Sequence, residues 1–217
     1  MYEKFKNFNQ VDRDSPLLQR AQRVLESSIT LAKSSIFPEH RLIHIAAVLK
    51  EPAQDRWWES MAHKLSRYPA SHSDIDALER LLSCQMEKIC PKQTGKLLSV
   101  FIAAISRSGE SPALLATYAR FAASELGDLS LAERLVRKAI SLDPKTPRWR
   151  INLVSYLIHT ERWDMALEQV EALQRLNRLG SLDRAITALE RQLNSARTAQ
   201  LGSKATDSSL RSRSTRD

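Results

Sequence analysis

Hydrophobic residues recur at a spacing of three to four along most of the 217-residue chain. This spacing places them on one face of a helix, so it predicts amphipathic helices and an all-α fold. Five such segments come before residue 111, between breaks rich in Pro, Gly and Ser. In chain order they run from Pro16 to the Phe37-Pro38 break and over Glu39–Leu49, Ala53–Tyr68, Asp74–Lys88 and Thr94–Arg107. We therefore expect a flexible N-terminal segment at 1–14 and a helical region at 15–110.

Particular residues refine these five predictions. Ser73 is placed to cap the fourth helix, because a hydroxyl there accepts from free backbone N–H groups. The fifth helix is apolar on all sides from Leu97 to Ile105, which predicts deep packing. The Trp57-Trp58 pair is expected to place one ring in the core and the other at the rim.

Two segments after residue 111 align with each other at a spacing of 34 residues. The first copy runs from Ala113 to Pro144. In it, Gly127 lies where a tight turn favours a residue without Cβ, and Asp128 precedes a helix that its carboxylate can cap. The second copy begins at Pro147 and ends near Asn177.

The second copy keeps part of this pattern. Ala166 is kept where the helices cross closely and Trp163 lies at the aromatic turn position, whereas Glu161 replaces Gly127 and Leu173 replaces Ala139. The period and these positions resemble the tetratricopeptide repeat (TPR) family. The resemblance implies antiparallel helical hairpins stacked as a short TPR-like α-solenoid over 111–195. A further amphipathic helix at 181–195 is expected to cap its open end.

In that family the first helix of each hairpin lines a groove that binds peptides or partner helices. The implied groove residues are Leu114, Thr117, Tyr118, Phe121, Arg148, Ile151, Asn152 and Ser155. Some family members hold an acidic C-terminal tail through a Lys, Asn and Arg clamp. Only Asn152 matches that clamp, so a more apolar partner segment is favoured. Equally, the chain's own fifth helix or a neighbouring hairpin could fill the groove.

The charge distribution bears on nucleic-acid binding. The net charge of +8 divides into +3, +2 and +3 over residues 1–110, 111–194 and 195–217. Binding to phosphates needs clustered Lys and Arg, so this dispersed charge disfavours a nucleic-acid partner. The Ser- and Arg-rich tail at 196–217 loses its apolar periodicity and is predicted to be disordered. Association of that tail with RNA or a membrane surface is a weaker option.

Few residues suggest site chemistry. Cys84 and Cys90 are either a disulfide, which implies an oxidising compartment, or two reduced thiols, and two thiolates do not complete a four-ligand zinc site. His40 and His44 are spaced to bind a metal, but they are interpreted as half-exposed helix histidines. We predict no catalytic residue, no metal and no cofactor.

These observations predict a non-catalytic scaffold or adaptor that binds other proteins. An alternative comes from a looser resemblance to extracytoplasmic TPR-bearing tails of bacterial membrane proteins that transfer or polymerise glycans. The chain would then be a detached accessory domain. No apolar stretch is long enough for a membrane span. The location is expected to be cytoplasmic if the chain is complete, and periplasmic or membrane-attached if it is a fragment.

Overall fold

The computed structural model describes the backbone of residues 16–214 and the side chains of residues 16–200. The flexible segment predicted at 1–14 lies outside these residues. Ten α-helices and one π-helical turn, without a strand, make up the regular structure of the described part. They are α1 (Pro16–Leu31), α2 (Phe37–Leu49), α3 (Asp55–Arg67), α4 (His72–Met86), α5 (Thr94–Ser108), α6 (Pro112–Phe121), the π turn (Ala122–Leu126), α7 (Leu129–Leu142), α8 (Pro147–His159), α9 (Trp163–Leu176) and α10 (Asp183–Ser214). The all-α prediction is confirmed.

The chain divides into two compact units, Met1–Gly127 and Asp128–Asp217. The sequence predicts the boundary near residue 111 instead. The difference arises because α6 packs against α4 and α5, and its Leu114 and Phe121 join the core of the first unit. The first repeat copy is therefore divided between the units.

The first unit combines packing between successive helices, such as α1 on α2, with packing between alternate helices. α2 packs on α4 and α4 on α6, while α3 packs on α5. Their shared core contains both Trp57 and Trp58, which are 2% and 3% exposed. The prediction that one of the two rings lies at the rim is therefore wrong. α5 buries Phe101 but leaves Ile102 55% exposed, so this helix is apolar on more faces than it packs.

A capping box starts α4. The Asp74 N–H donates to Ser71 Oγ, and the Ser71 N–H donates to Asp74 Oδ2 at 3.0 Å. Ser71, not the predicted Ser73, is thus the cap. Asp74 is 2% exposed and also accepts from the Ile36 N–H at 3.0 Å. The same carboxylate therefore begins α4 and fixes the chain just before α2.

A buried ion pair joins α2 to α3. Lys64 Nζ lies 2.7 Å from Glu39 Oε1 and donates to the Ser35 carbonyl at 3.1 Å. The Ser60 hydroxyl donates to the same Glu39 oxygen at 2.6 Å. The Glu39 side chain is fully buried and that of Lys64 is 8% exposed. The helical periodicity of the sequence gives no sign of this pair.

The second unit contains the antiparallel hairpin of α8 and α9. α7 packs against α8, and α10 packs against both α8 and α9. The repeat register is visible in its core, because residues 34 positions apart are buried alike. Ala132 and Ala166 are both fully buried. Val136 and Val170 are at most 1% exposed. The predicted cap at Asp128 is present, since its Oδ1 accepts from the Leu131 N–H at 2.8 Å. The unit is TPR-like.

The C-terminal cap helix is confirmed, but it is longer than predicted. Its Ile186, Leu189 and Leu193 are buried, and the helix continues to Ser214, through most of the tail that the sequence predicts as disordered. The sequence contains no Pro after Pro147 to end the helix. The Trp163 indole N–H also donates to Gln200 Oε1 at 3.1 Å, which holds the helix to the start of α9.

Candidate functional site

The eight predicted groove residues fall into two sets of four, one on α6 in the first unit and one on α8 in the second. Each α8 residue follows its α6 counterpart by 34 positions. Both sets have the spacing i, i+3, i+4 and i+7, which places each set on one face of its helix. The two sets differ in their surroundings.

The α6 set belongs to the core of the first unit. Leu114 and Phe121 are fully buried and Thr117 is 4% exposed. The Phe101 ring of α5 lies 5.0 Å from Phe121 and 5.4 Å from Tyr118, measured between ring centroids. The chain's own fifth helix therefore packs against this face, which is one of the alternatives that the sequence leaves open.

The α8 set remains accessible. Arg148 is exposed, and Ile151, Asn152 and Ser155 are partly exposed. We call these four residues the α8 face. The Ser155 hydroxyl donates to the Ile151 carbonyl within the helix at 3.3 Å. Asn152 Nδ2 makes no hydrogen bond among the described residues and is itself screened from solvent, so a rotation of the side chain is needed to present this donor on the face.

The helix that carries the α8 face is held firmly from its other side. Leu153, Val154 and Leu157 are at most 1% exposed and anchor α8 in the core of the second unit. Arg150 Nη1 donates to Gln169 Oε1 on α9 at 2.8 Å. A partner would thus meet a rigid helix, which reduces the entropic cost of binding.

A charged cluster fixes the turn that follows α8. Glu133 on α7 accepts from Arg137 Nε at 2.8 Å and from Arg162, next to the turn. Burial alone raises the pKa of Glu133, but the hydrogen bonds from Arg162 and Arg137 outweigh it and hold its pKa below the usual value. This carboxylate therefore stays ionised at neutral pH and ties α7 to the start of α9.

The structure joins Cys84 and Cys90 in a disulfide. The first of them lies in α4, and the second follows the tight turn after it. Disulfides persist in oxidising compartments, whereas a reducing compartment would leave two thiols here. Sequence reasoning left these two states open.

His40 is more buried than the sequence predicts, whereas His44 is partly exposed. His40 is 2% exposed, and the His40 and His44 rings meet edge to face with centroids 4.6 Å apart. Burial, then the nearby charges of His44, Arg41 and Arg80, lowers the pKa of His40 to about 3. Burial, followed by Arg41 and Arg80, also lowers the pKa of His44. Both rings are therefore neutral at pH 7.

α2 packs on α4, and this packing brings His44 to the cysteines. The ligand atoms of His44, Cys84 and Cys90 all lie within 4.8 Å of one another. The sequence treats the histidine pair and the cysteine pair as separate features and does not predict that His44 lies beside the cysteines. The available signal was the presence of two spaced donor pairs, but nothing in the helical periodicity shows that their helices pack together.

None of the helices within residues 16–214 is both long and apolar enough to cross a membrane.

Comparison with known proteins gives one remote likeness. No family model matches the chain, and no curated protein matches it. Among solved structures, the TPR2AB domain of yeast Sti1 in its pHSP90 complex is similar at 16% identity and a TM-score of 0.42. That match covers 89% of this chain and 88% of the other.

Proposed function

We propose that the chain is a non-catalytic protein-interaction module whose α8 face binds a segment of a partner protein. The observation that supports this most is the contrast between the two repeat copies. Three of the four positions are buried on α6, where only Tyr118 is partly exposed, whereas all four are exposed or partly exposed on α8. A TPR-like hairpin with an uncovered first helix offers the type of surface that this family uses for partners.

The chemistry of the α8 face suits a short, partly apolar peptide. Ile151 offers an apolar contact, and Asn152 Nδ2, once its side chain rotates outward, can donate to a partner's backbone carbonyl. The exposed Arg148 lies at the start of the same face, and no further basic residue completes a clamp for a terminal carboxylate. An internal segment therefore fits this face better than an acidic C-terminal tail.

Selection of binders from a displayed peptide library tests the proposal without knowledge of the natural partner. We expect selected peptides to bind the full chain and to bind Asn152→Ala roughly fivefold more weakly, since one net hydrogen bond contributes about 1 kcal/mol. Ile151→Asp should abolish measurable binding, because a charge replaces an apolar contact. Binding is measured by isothermal titration calorimetry.

Two matched variants control for effects on folding or on net charge. Leu167→Asp places the same charge on an exposed part of α9, and Asn194→Ala removes an amide from an exposed position of α10. Both should bind like the unmodified chain. If the α8 variants bind selected peptides as well as these controls do, the α8 face is not the binding surface.

A second candidate function is the detached extracytoplasmic accessory domain suggested by the looser resemblance. The Cys84–Cys90 disulfide favours it, because such bonds are rare in reducing compartments. A thiol count on denatured, unreduced protein from its native host tests it. No free thiol is expected, and two free thiols would contradict this candidate.

A further inference from the structure

Four nitrogen- and sulfur-bearing side chains gather where α2 packs on α4, inside the first unit. Three of them, His44, Cys84 and Cys90, bring their ligand atoms within 4.8 Å of one another. The fourth, His40, lies one helical turn before His44 with its ring in contact. Imidazole nitrogens and thiolate sulfurs are the donors that zinc prefers in structural sites, and such sites take four of them.

The backbone holds the two sulfur atoms together independently of a bond between them. The Ile89 and Cys90 N–H groups both donate to the Cys84 carbonyl, at 2.9 and 3.0 Å. Lys88 adopts a left-handed φ of 58°, which L-residues rarely do. The chain after α4 thus folds back so that Cys90 returns beside Cys84.

The histidines provide a second, independent observation. Both ring nitrogens of His40 and Nε2 of His44 are buried, and none has a hydrogen-bond partner among the described residues. Leaving a buried polar atom unpaired costs about 1–3 kcal/mol. A bound metal ion would accept the lone pair of one nitrogen in each ring and remove the cost for that nitrogen.

We propose that the reduced protein binds one Zn²⁺ ion through the thiolates of Cys84 and Cys90 and the imidazoles of His44 and His40. His44 and the cysteines already converge. A rotation of the neighbouring His40 side chain supplies the fourth ligand. This inference does not depend on the proposed function, since the α8 face lies in the other unit.

The charges around the site favour this ligand set over histidines alone. Arg41 and Arg80 act on the histidines with positive charge, which disfavours a bare dication held by two neutral imidazoles. Two thiolates cancel the charge of Zn²⁺ and leave a neutral centre. The cysteines are therefore required, and the site exists only when their disulfide is reduced.

The reaction that opens the site balances as a thiol–disulfide exchange. A dithiol reductant transfers two electrons and two protons to the Cys84–Cys90 bond and itself becomes a disulfide. Zn²⁺ then replaces the two thiol protons, which pass to solvent. In reoxidation, a disulfide oxidant takes two electrons from the sulfurs and two protons from solvent to become two thiols, while the Cys84–Cys90 bond reforms and the ion is released.

Cobalt substitution of the full chain tests the proposal directly. After reduction and removal of the reductant without oxygen, Co²⁺ should produce the intense visible absorption of a tetrahedral site and a thiolate-to-metal charge-transfer band. Zn²⁺ should displace the Co²⁺ and abolish both absorptions. Native mass spectrometry should find one metal ion per chain. The oxidised chain is the matched control, needs no substitution, and should show neither band.

Variants assign the ligands. Cys84→Ser and His44→Ala should each weaken Zn²⁺ binding by more than about 100-fold, beyond the loss that a supporting residue causes. His40→Ala should weaken it by at least about tenfold, and His63→Ala, which changes an exposed histidine of α3, should leave it unchanged. The proposal is overturned if the reduced chain shows no charge-transfer band. It is equally overturned if removal of His44 or His40 leaves binding intact.

Discussion

At the scale of single residues, the buried Glu39–Lys64 pair is expected to have a large effect on stability. Two charges without solvent are stable only when each has its partner. Glu39 has Lys64 and Ser60 on one carboxylate oxygen, and its other oxygen, Oε2, has no hydrogen-bond partner among the described residues. The stability of the first unit should therefore depend strongly on this one contact.

Lys64→Met should lower the free energy of unfolding by about 3–5 kcal/mol, because it leaves the Glu39 charge buried without its counter-ion. Urea unfolding measures this value. Arg56→Met, which breaks the exposed Arg56–Glu26 pair, should cost at most about 1 kcal/mol. The double variant Glu39→Gln/Lys64→Met should recover much of the loss. Equal costs for the two single variants would contradict the role given to burial.

Glu133 makes the stability of the second unit depend on pH in the acidic range. Since its pKa is lowered in the folded state, its contribution is present above the ordinary value of 4.5 and is lost as the pH falls below it. Glu133→Gln should therefore cost about 1–3 kcal/mol at pH 7, and the difference from the unmodified chain should vanish in acid. Chemical unfolding across this pH range measures it. Glu171→Gln, on an exposed position of α9, should show no such convergence.

At the scale of elements, the turns of the two repeats share a left-handed backbone conformation at the same position. The residue there is glycine in the first repeat and glutamate in the second. Gly127 has φ of 68°, and Glu161, 34 positions later, has φ of 57°. The sequence comparison treats Glu161 as a departure from the repeat. The structure shows that the turn itself is retained, with a side chain where the conformation favours glycine.

Glu161→Gly should consequently be more stable than Glu161→Ala by about 1 kcal/mol, the approximate cost of a left-handed conformation for a residue with Cβ. Both variants lose the hydrogen bond between Glu161 and Gln200, so their difference isolates the backbone effect. Thermal unfolding of the two variants gives the comparison. An alanine variant as stable as the glycine variant would mean that the turn relaxes out of this conformation.

At the scale of the whole molecule, the boundary between the units lies inside the first repeat copy. A hairpin unit of a repeat protein is normally the smallest element of its architecture. Here α6 contributes its apolar face to the core of the five preceding helices, so the sequence repeat and the compact unit do not coincide.

A fragment that ends at Gly127 should therefore unfold cooperatively, whereas one that ends at Glu110 should be largely unfolded. The shorter fragment loses Leu114 and Phe121, each fully buried, and burying a large apolar side chain contributes about 1.5–3 kcal/mol. Circular dichroism on heating distinguishes the two fragments. A cooperative transition in the shorter one at the same temperature would restore the boundary that the sequence predicts.

The sequence by itself determined the local elements. Pro16, Pro112 and Pro147 each lie at the start of a helix as the pattern predicts, because proline suits a first helical position and ends a preceding helix. The period of 34 residues likewise predicted which small and apolar side chains the repeats bury. These are local properties, set by spacing along one chain segment.

Only the tertiary structure decided which surfaces remain open and which donors meet. Phe121 and Ser155 occupy equivalent repeat positions, yet Phe121 is core because the Phe101 ring of α5 packs against it, whereas Ser155 is partly exposed. His44 and Cys90 are far apart in sequence and come together only through the packing of α2 on α4. Such contacts depend on which helices are neighbours, and helical periodicity shows that a face will be buried without showing what it is buried against.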